Sequence, residues 1–213
     1  MDKTEFINKR EFLYHLTDRR NLEIILTNGT LLSTNSIIEL TEWDNPRKTN
    51  FKRSRRPNHE VITIIENNYY IRDQRPISQK NLAKCLTGGL NVADYIELLN
   101  NRVFFWPTIQ RLQKHYNRYV AENPLIIRVS SQELLDLNRN AEFCRLNSGA
   151  TRSSSYYDGA PPPRGEETFL LAEEYENNVG SVAEVTFPNS CQLPEVFHIG
   201  DSPQGRWRAT SLT

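Results

Sequence analysis

Residues 12–32 read FLYHLTDRRNLEIILTNGTLL, and the reading of this stretch decides the fold. Phe12, Tyr14 and Leu16 alternate with Leu13, His15 and Thr17, the two-residue period of a strand. Asp18 then stands where an N-cap belongs. Leu22, Ile25 and Leu26 supply the i, i+3, i+4 stripe of a short helix, and Gly29 sits where that helix stops. A strand running into a helix presents backbone N–H groups and a helix N-terminus at the turn, which suits an anionic ligand. His15 projects just ahead of that turn and Asn21 lies in the first helical turn, so two neutral hydrogen-bonding side chains flank a candidate phosphate or ribose site. A histidine so placed is also commonly a hydrogen-bonded structural residue. The residues alone leave both readings open.

Working outward, the remaining pattern is one of short strands between short helices. Residues 61–65 read as a strand or short helix, 81–86 and 92–99 as helices around Gly88-Gly89, and 102–107 (RVFFWP) as an aromatic strand closed by proline. Residues 109–119 have helical polarity, 125–130 and 142–146 read as strands, and 132–137 as a helix. Residues 31–39 read as a loop and turn. Residues 147–165 (NSGATRSSSYYDGAPPPRG) read as a long irregular loop with Tyr156 and Tyr157 at its centre. Residues 166–176 read as a polar helix. In 181–187 (SVAEVTF), Glu184 sits alone among apolar and small residues of a strand, with 196–199 as a further strand. A solitary strand glutamate is ordinarily solvent-exposed decoration. The absence of a repeating βαβ pattern predicts an α+β fold, one domain spanning 1–213.

Composition bounds the function. The chain has 213 residues, 38% of them hydrophobic, enough for one domain with a substantial core. No run of 18 apolar residues and no greasy N-terminal segment stands out, so neither a membrane partner nor a secretion signal is expected. Cys85, Cys144 and Cys191 are odd in number and widely spaced, which favours reduced thiols in a cytoplasmic protein. The four histidines form no ligand cluster, so no metal is expected. No Gly-x-Gly-x-x-Gly, nucleophile elbow or zinc motif offers a competing enzyme class. The zero net charge hides an asymmetry: 47–56 carries six basic residues and no acidic one, whereas 166–176 carries five glutamates and no base. The basic run 47–57 (RKTNFKRSRRP) reads as an exposed loop, either a solvated face or a contact for phosphates.

Tyr14-His15-Leu16-Thr17, then Asn21-Leu22, Ile24-Ile25-Leu26 and Gly29, resembles the opening of the DarT-type ADP-ribosyltransferases, which begin with a Tyr-His-Ile-Thr strand, an Asn-Leu pair and a Gly-terminated helix. The chain also looks like a related bacterial family with a YHLT start, an IRDQ.P segment (here Ile71 to Pro76) and a VFFWP strand (here Val103 to Pro107). Ala183-Glu184-Val185 is similar to the Ala-Glu pattern of the catalytic strand. The segment before the aromatic strand is longer here, which leaves the equivalent of the family's arginine open.

The resemblance implies a fold of two small, mainly antiparallel sheets forming an NAD cleft flanked by short helices. It implies NAD as substrate and transfer of ADP-ribose to a macromolecule by a toxin or phage-defence effector, with an antitoxin as a further partner. Glu184 would stabilise the oxocarbenium-like ribose. Arg72, or failing that Arg56, would contact NAD and assist catalysis; from its residue type alone, Arg72 suits bidentate clamping of a diphosphate. His15, Thr17 and Asn21 would hold the dinucleotide, and Phe105 or Trp106 would stack on a flat heterocycle. The expected acceptor is nucleic acid, single-stranded in preference to duplex, from the basic run 47–56, the basic helix 111–118 and Tyr156-Tyr157. Two other readings remain: an NAD glycohydrolase, in which water replaces the acceptor, and a non-catalytic nucleic-acid-binding module.

Overall fold

The computed structural model describes residues 1–151 and 162–213. In chain order the helices are α1 (Lys3–Lys9), α2 (Leu22–Asn28), α3 (Thr34–Glu39), α4 (Asn45–Arg53), α5 (Gln79–Leu82), α6 (Val92–Asn100), α7 (Ile109–Tyr116) and α8 (Ser131–Leu137). The strands are β1 (Phe12–Thr17), β2 (Thr30–Leu32), β3 (Glu60–Ile64), β4 (Asn67–Ile71), β5 (Arg102–Phe105), β6 (Leu125–Ser130), β7 (Glu142–Cys144), β8 (Leu170–Leu171), β9 (Glu184–Pro188), β10 (Ser190–Gln192), β11 (Val196–Gly200) and β12 (Trp207–Ser211).

The architecture is mixed α+β, with several small sheets whose strand pairs are all antiparallel. One four-stranded sheet runs β1-β6-β11-β12 and another runs β5-β9-β7-β8. Two-stranded pairs β3-β4 and β2-β10 flank them. Leu13, Ile127, Val129 and Phe197 from the first sheet meet Val103, Phe105, Phe143, Val185 and Phe187 from the second in a common buried core, which Phe6 of α1 and Leu134 of α8 close. Each of these strands sends alternate residues inward, so the period-2 pattern translates directly into a sheet with one face in the core.

The main chains of the two larger sheets bridge at one point, between β1 and the residue after β5, among the described residues. Tyr14 N–H donates to Trp106 O at 3.0 Å and Trp106 N–H to Tyr14 O at 2.8 Å, an isolated antiparallel bridge. Beyond it β1 continues through His15 to Thr17 and β5 runs back through Phe104 to Arg102 with no further ladder between them among the described residues.

Several helices are specified by their caps. Asp44 accepts from Arg47 N and a proline lies in the first turn of α4, while Asn91 and Asp94 form a reciprocal capping box on α6. Gly29 ends α2 in the left-handed conformation, φ 61°.

Three sequence expectations are corrected here. Residues 31–39 are not a loop but β2 and α3, the helix capped by Ser33. The basic run 47–57 is mostly helical: α4 buries no side chain, so it lacks the apolar period that would betray it, and its cap and flanking ion pairs hold it instead. Residues 166–176 do not form a polar helix. They make a 3-10 turn (Glu166–Thr168), the short β8 and a further turn, because Leu170 is drawn into pairing with Phe143. Tyr156 and Tyr157 lie outside the described residues.

Candidate functional site

The separation of β1 from β5 past the Tyr14–Trp106 bridge opens a cleft of about 280 Å³, lined among others by His15, Thr17, Arg72, Phe104, Trp106 and Glu184. The cleft is therefore walled by strands from both sheets, with β4 and the segment after it closing one side. Concave, partly apolar sites with a few convergent polar groups are where ligands bind.

His15 spans the gap between the strands: its Nδ1 lies 2.8 Å from Phe104 O. A carbonyl only accepts, so Nδ1 carries the proton. Burial, reinforced by the Arg72 charge, pushes the imidazole pKa down to about 4, against the smaller upward effect of the Phe104 bond. The ring is neutral at pH 7 and its Nε2 is left as an acceptor.

Glu184 opens β9, opposite Cys144 of β7, and is only 3% exposed. Its Oε2 accepts from Ser148 N–H at 3.0 Å and from Ser148 Oγ–H at 2.7 Å. Burial pushes the carboxyl up to about 6; the Ser148 bonds and the charges of Arg111 and Arg164 pull the other way. A carboxylate that is ionised at neutral pH yet desolvated is electrostatically more potent than a solvated one.

Arg72 donates from Nη2 to Thr17 O at 2.9 Å and from Nη1 to Glu122 at 3.1 Å, and lies over the Tyr119 ring. Its buried Nε has no partner among the described residues. Arg56 lies deeper. Its pKa is brought down to about 10 by burial, and it donates to Arg72 O and to Asn100 Oδ1, at 3.3 and 2.7 Å. Arg56 thus supports the main chain of Arg72.

The cleft brings together His15, Thr17, Asn21, Arg56, Arg72 and Glu184, residues separated by up to 169 positions in the chain (184 minus 15). Phe105 is not among its lining residues. Val103 and Phe105 share the inward face of β5, and the Phe105 ring is fully buried between His15 (centroids 5.4 Å) and Phe187 (5.5 Å). Phe105 supports the imidazole from behind; Phe104 and Trp106 provide the aromatic walls. Trp106 is itself stacked on His115, centroids 4.3 Å apart.

Asn21 reaches the cleft, but its amide is engaged. Nδ2 donates to Tyr70 O and Oδ1 accepts from Tyr70 N–H, each at 2.9 Å, which fastens β4 to the turn after β1. The helix N-terminus also differs from expectation. A 3-10 turn (Arg19–Asn21) precedes α2, and the Asp18 carboxylate already accepts from Arg20 N and pairs with the Arg20 side chain. A side-chain carboxylate thus occupies the anion position that the sequence reading gave to a ligand.

The basic segment is likewise largely committed. Lys48 and Lys52 pair with Glu39, Arg53 with Asp94 and Glu97, and Arg56 is buried. Arg111 and Lys114 on α7, and Arg118 just past its end, make no ion pair among the described residues, whereas burial and the neighbouring Arg118 push His115 down to about 3, so it is neutral. Cys85, Cys144 and Cys191 are buried free thiols. Among the described residues no group of three or more His, Cys, Asp or Glu could hold a metal, and no helix is long and apolar enough to cross a membrane.

Sequence reasoning missed Ser148, His115 and Arg164. Ser148 stood in an irregular loop with no periodicity to single it out. His115 was counted as part of a basic helix, although its i+3 spacing from the buried Leu112 was a signal that it faces inward.

These features define a mixed α+β protein with a carboxylate–imidazole cleft between two antiparallel sheets. Residues 11–196 match the family of unknown function DUF7002, and the chain belongs to that family. Comparison with curated proteins and with solved structures gave no match.

Proposed function

We propose that the chain is an NAD-dependent ADP-ribosyltransferase with Glu184 as its catalytic carboxylate. The observation that carries this reading is the meeting of Glu184, buried and held among the described residues through one oxygen, with the neutral His15 in a single cleft. The sequence resemblance to the DarT-type enzymes supplies the reaction class, and the cleft offers a suitable group for each need of that reaction.

The C1′–N bond to nicotinamide breaks and its electron pair leaves with the nicotinamide, a cation in the substrate that departs neutral, so little acid catalysis is required. Positive charge develops on the ribose, and an ionised Glu184 is the group to stabilise it. The nucleophile of the acceptor then bonds to C1′, and its proton passes to the carboxylate or to solvent. His15 Nε2 accepts from a ribose hydroxyl, the Arg72 guanidinium on the cleft wall attracts the diphosphate, and Trp106 with Phe104 flanks a planar base. Asn21 and Arg56 act as scaffold for this site rather than as ligand contacts.

The acceptor on this reading is a single-stranded nucleic acid, contacted by Arg111 and Lys114 of α7 and by Arg118 just beyond it; Arg111 lies close enough to Glu184 to affect its charge. The DarT resemblance extends the proposal to a toxin or phage-defence effector restrained by an antitoxin. Incubation with NAD labelled in the adenylate moiety, together with single-stranded DNA, RNA or total protein, tests it. Label on nucleic acid that disappears in Glu184→Gln is the expected result. Free ADP-ribose with no labelled macromolecule would select the glycohydrolase instead, and unconsumed NAD in every mixture would sink the enzyme reading.

A further inference from the structure

Arg164 is fully buried, the largest such side chain among the described residues, and it has no carboxylate within ion-pair distance there. Its five N–H donors nevertheless each have an acceptor: Nε donates to Ser148 O at 3.1 Å, Nη2 to Asn147 O at 3.3 Å and Ala150 O at 3.1 Å, and Nη1 to Pro162 O at 2.8 Å and Cys85 Sγ at 3.7 Å. A full charge buried among carbonyls and a thiol is costly to keep unless something else in the fold requires it. Its own main chain is pinned as well, N–H to Cys85 O at 2.7 Å and O to Thr87 N–H at 2.8 Å.

The carbonyls it gathers belong to the turn at Asn147–Ala150, and the next groups along are those that hold Glu184. Ser148 gives its C=O to Arg164 and both its N–H and its Oγ–H to the Glu184 carboxylate. The Tyr95 hydroxyl shares the same Ser148 carbonyl, at 3.4 Å. We infer that Arg164 is a positioning residue for Glu184: it fixes the turn that aims the Ser148 N–H and hydroxyl at the carboxylate, and sets its own positive charge one residue behind the negative one. Arg164 and Glu184 form an opposite-charge pair relayed through the Ser148 peptide rather than a direct salt bridge. Among the described residues the relay engages only Oε2 of Glu184, whereas a direct bidentate arginine would occupy both oxygens.

The groups around Glu184 make the test specific. Ser148, Arg111 and Arg164 favour its ionised form and burial opposes it, so loosening the turn should raise its titration midpoint. The catalytic consequence rests on the transferase reading; the titration does not. With glutamate labelled at the side-chain carboxyl carbon and the Glu184 signal assigned by its loss in Glu184→Gln, NMR follows the midpoint in wild type, Arg164→Lys, Arg164→Met and Ser148→Ala. Arg164→Lys keeps the charge but satisfies fewer carbonyls, so it should fold and still raise the midpoint; Arg164→Met should raise it more, by about one unit. Combining Arg164→Lys with Ser148→Ala should raise the midpoint by less than the sum of the two single shifts, because part of the effect of Arg164 passes through the Ser148 hydroxyl and the rest through the Ser148 N–H that alanine keeps. In the NAD assay the acidic limb of the kcat/KM profile should move up by the same interval. An unchanged midpoint in folded Arg164 variants overturns the inference, as does additivity with Ser148→Ala. Loss of the fold in both Arg164 variants would make it a residue of the fold and overturn it too. A wild-type protein that leaves NAD untouched would instead sink the transferase reading, with the titration result standing.

Discussion

Replacing Glu184 by Gln should inactivate the protein and stabilise it, and the two effects should separate with pH. The carboxyl is 3% exposed and its pKa rises from an ordinary 4.5 to about 6. A group whose folded pKa lies above its unfolded value holds its proton more tightly in the native state. Stability is then greatest below the unfolded pKa and falls as pH rises through the interval from 4.5 to about 6. A shift of that size corresponds to about 2 kcal/mol of native-state stability lost by pH 7. Gln keeps the shape and can still accept from Ser148, but never ionises, so it should escape that loss. Relative to wild type, Glu184→Gln should gain about 2 kcal/mol between pH 4 and pH 8, or roughly 4–8 °C in Tm for a chain of this size. Any constant offset from weaker Ser148 bonds cancels in the comparison between the two pH values. Thermal melts of both proteins at pH 4 and pH 8 measure it, and transfer from labelled NAD should fall by on the order of 10² or more. A Tm difference that is the same at both pH values, or a variant with activity within a few-fold of wild type, would refute the reasoning.

His15→Asn should preserve the bond to Phe104 O through its amide while losing the Nε2 acceptor; on the transferase reading KM for NAD rises about tenfold with Tm little changed, as steady-state kinetics beside a thermal melt would show. Asn21→Ala should cost stability, about 1–3 kcal/mol in chemical denaturation, because it strands the Tyr70 N–H and C=O; an effect confined to KM would return Asn21 to the ligand. Neutralising Arg111, Lys114 and Arg118 together should weaken modification of nucleic acid and flatten its salt dependence, and equal activity at every salt concentration would exclude α7 as the contact surface.

What could be read from the sequence follows from where a residue's role is local. The β1 strand, the Gly29 stop, the aromatic β5 and the position of Glu184 on a strand all announce themselves through a two-residue period or a turn residue. The convergence of His15, Arg72 and Glu184 on one cleft followed from motif order, not from physics visible in one segment. Phe105 was misplaced because in an FFW run the period gives two candidate faces and only the partner strands choose between them. The helix α4 was invisible because charges on neighbouring elements stabilise it, and those lie 9 to 44 positions away in sequence. Ser148 and Arg164 act through main-chain carbonyls, which every residue possesses, so no residue pattern marks them.

The single bridge between Tyr14 and Trp106 has a consequence for how the sheet edges are kept from pairing with another chain. Past that bridge, two strand edges face each other with their ladders withheld, which is the exposed template that sheet proteins must guard against recruiting a stray chain. Here each edge is blunted from within: the imidazole of His15 occupies Phe104 O, and the guanidinium of Arg72 occupies Thr17 O. The residues that furnish the cleft therefore also act as its edge guards. Substitutions there should be judged by light scattering as well as by turnover, since removing either cap uncovers a carbonyl that another strand can claim.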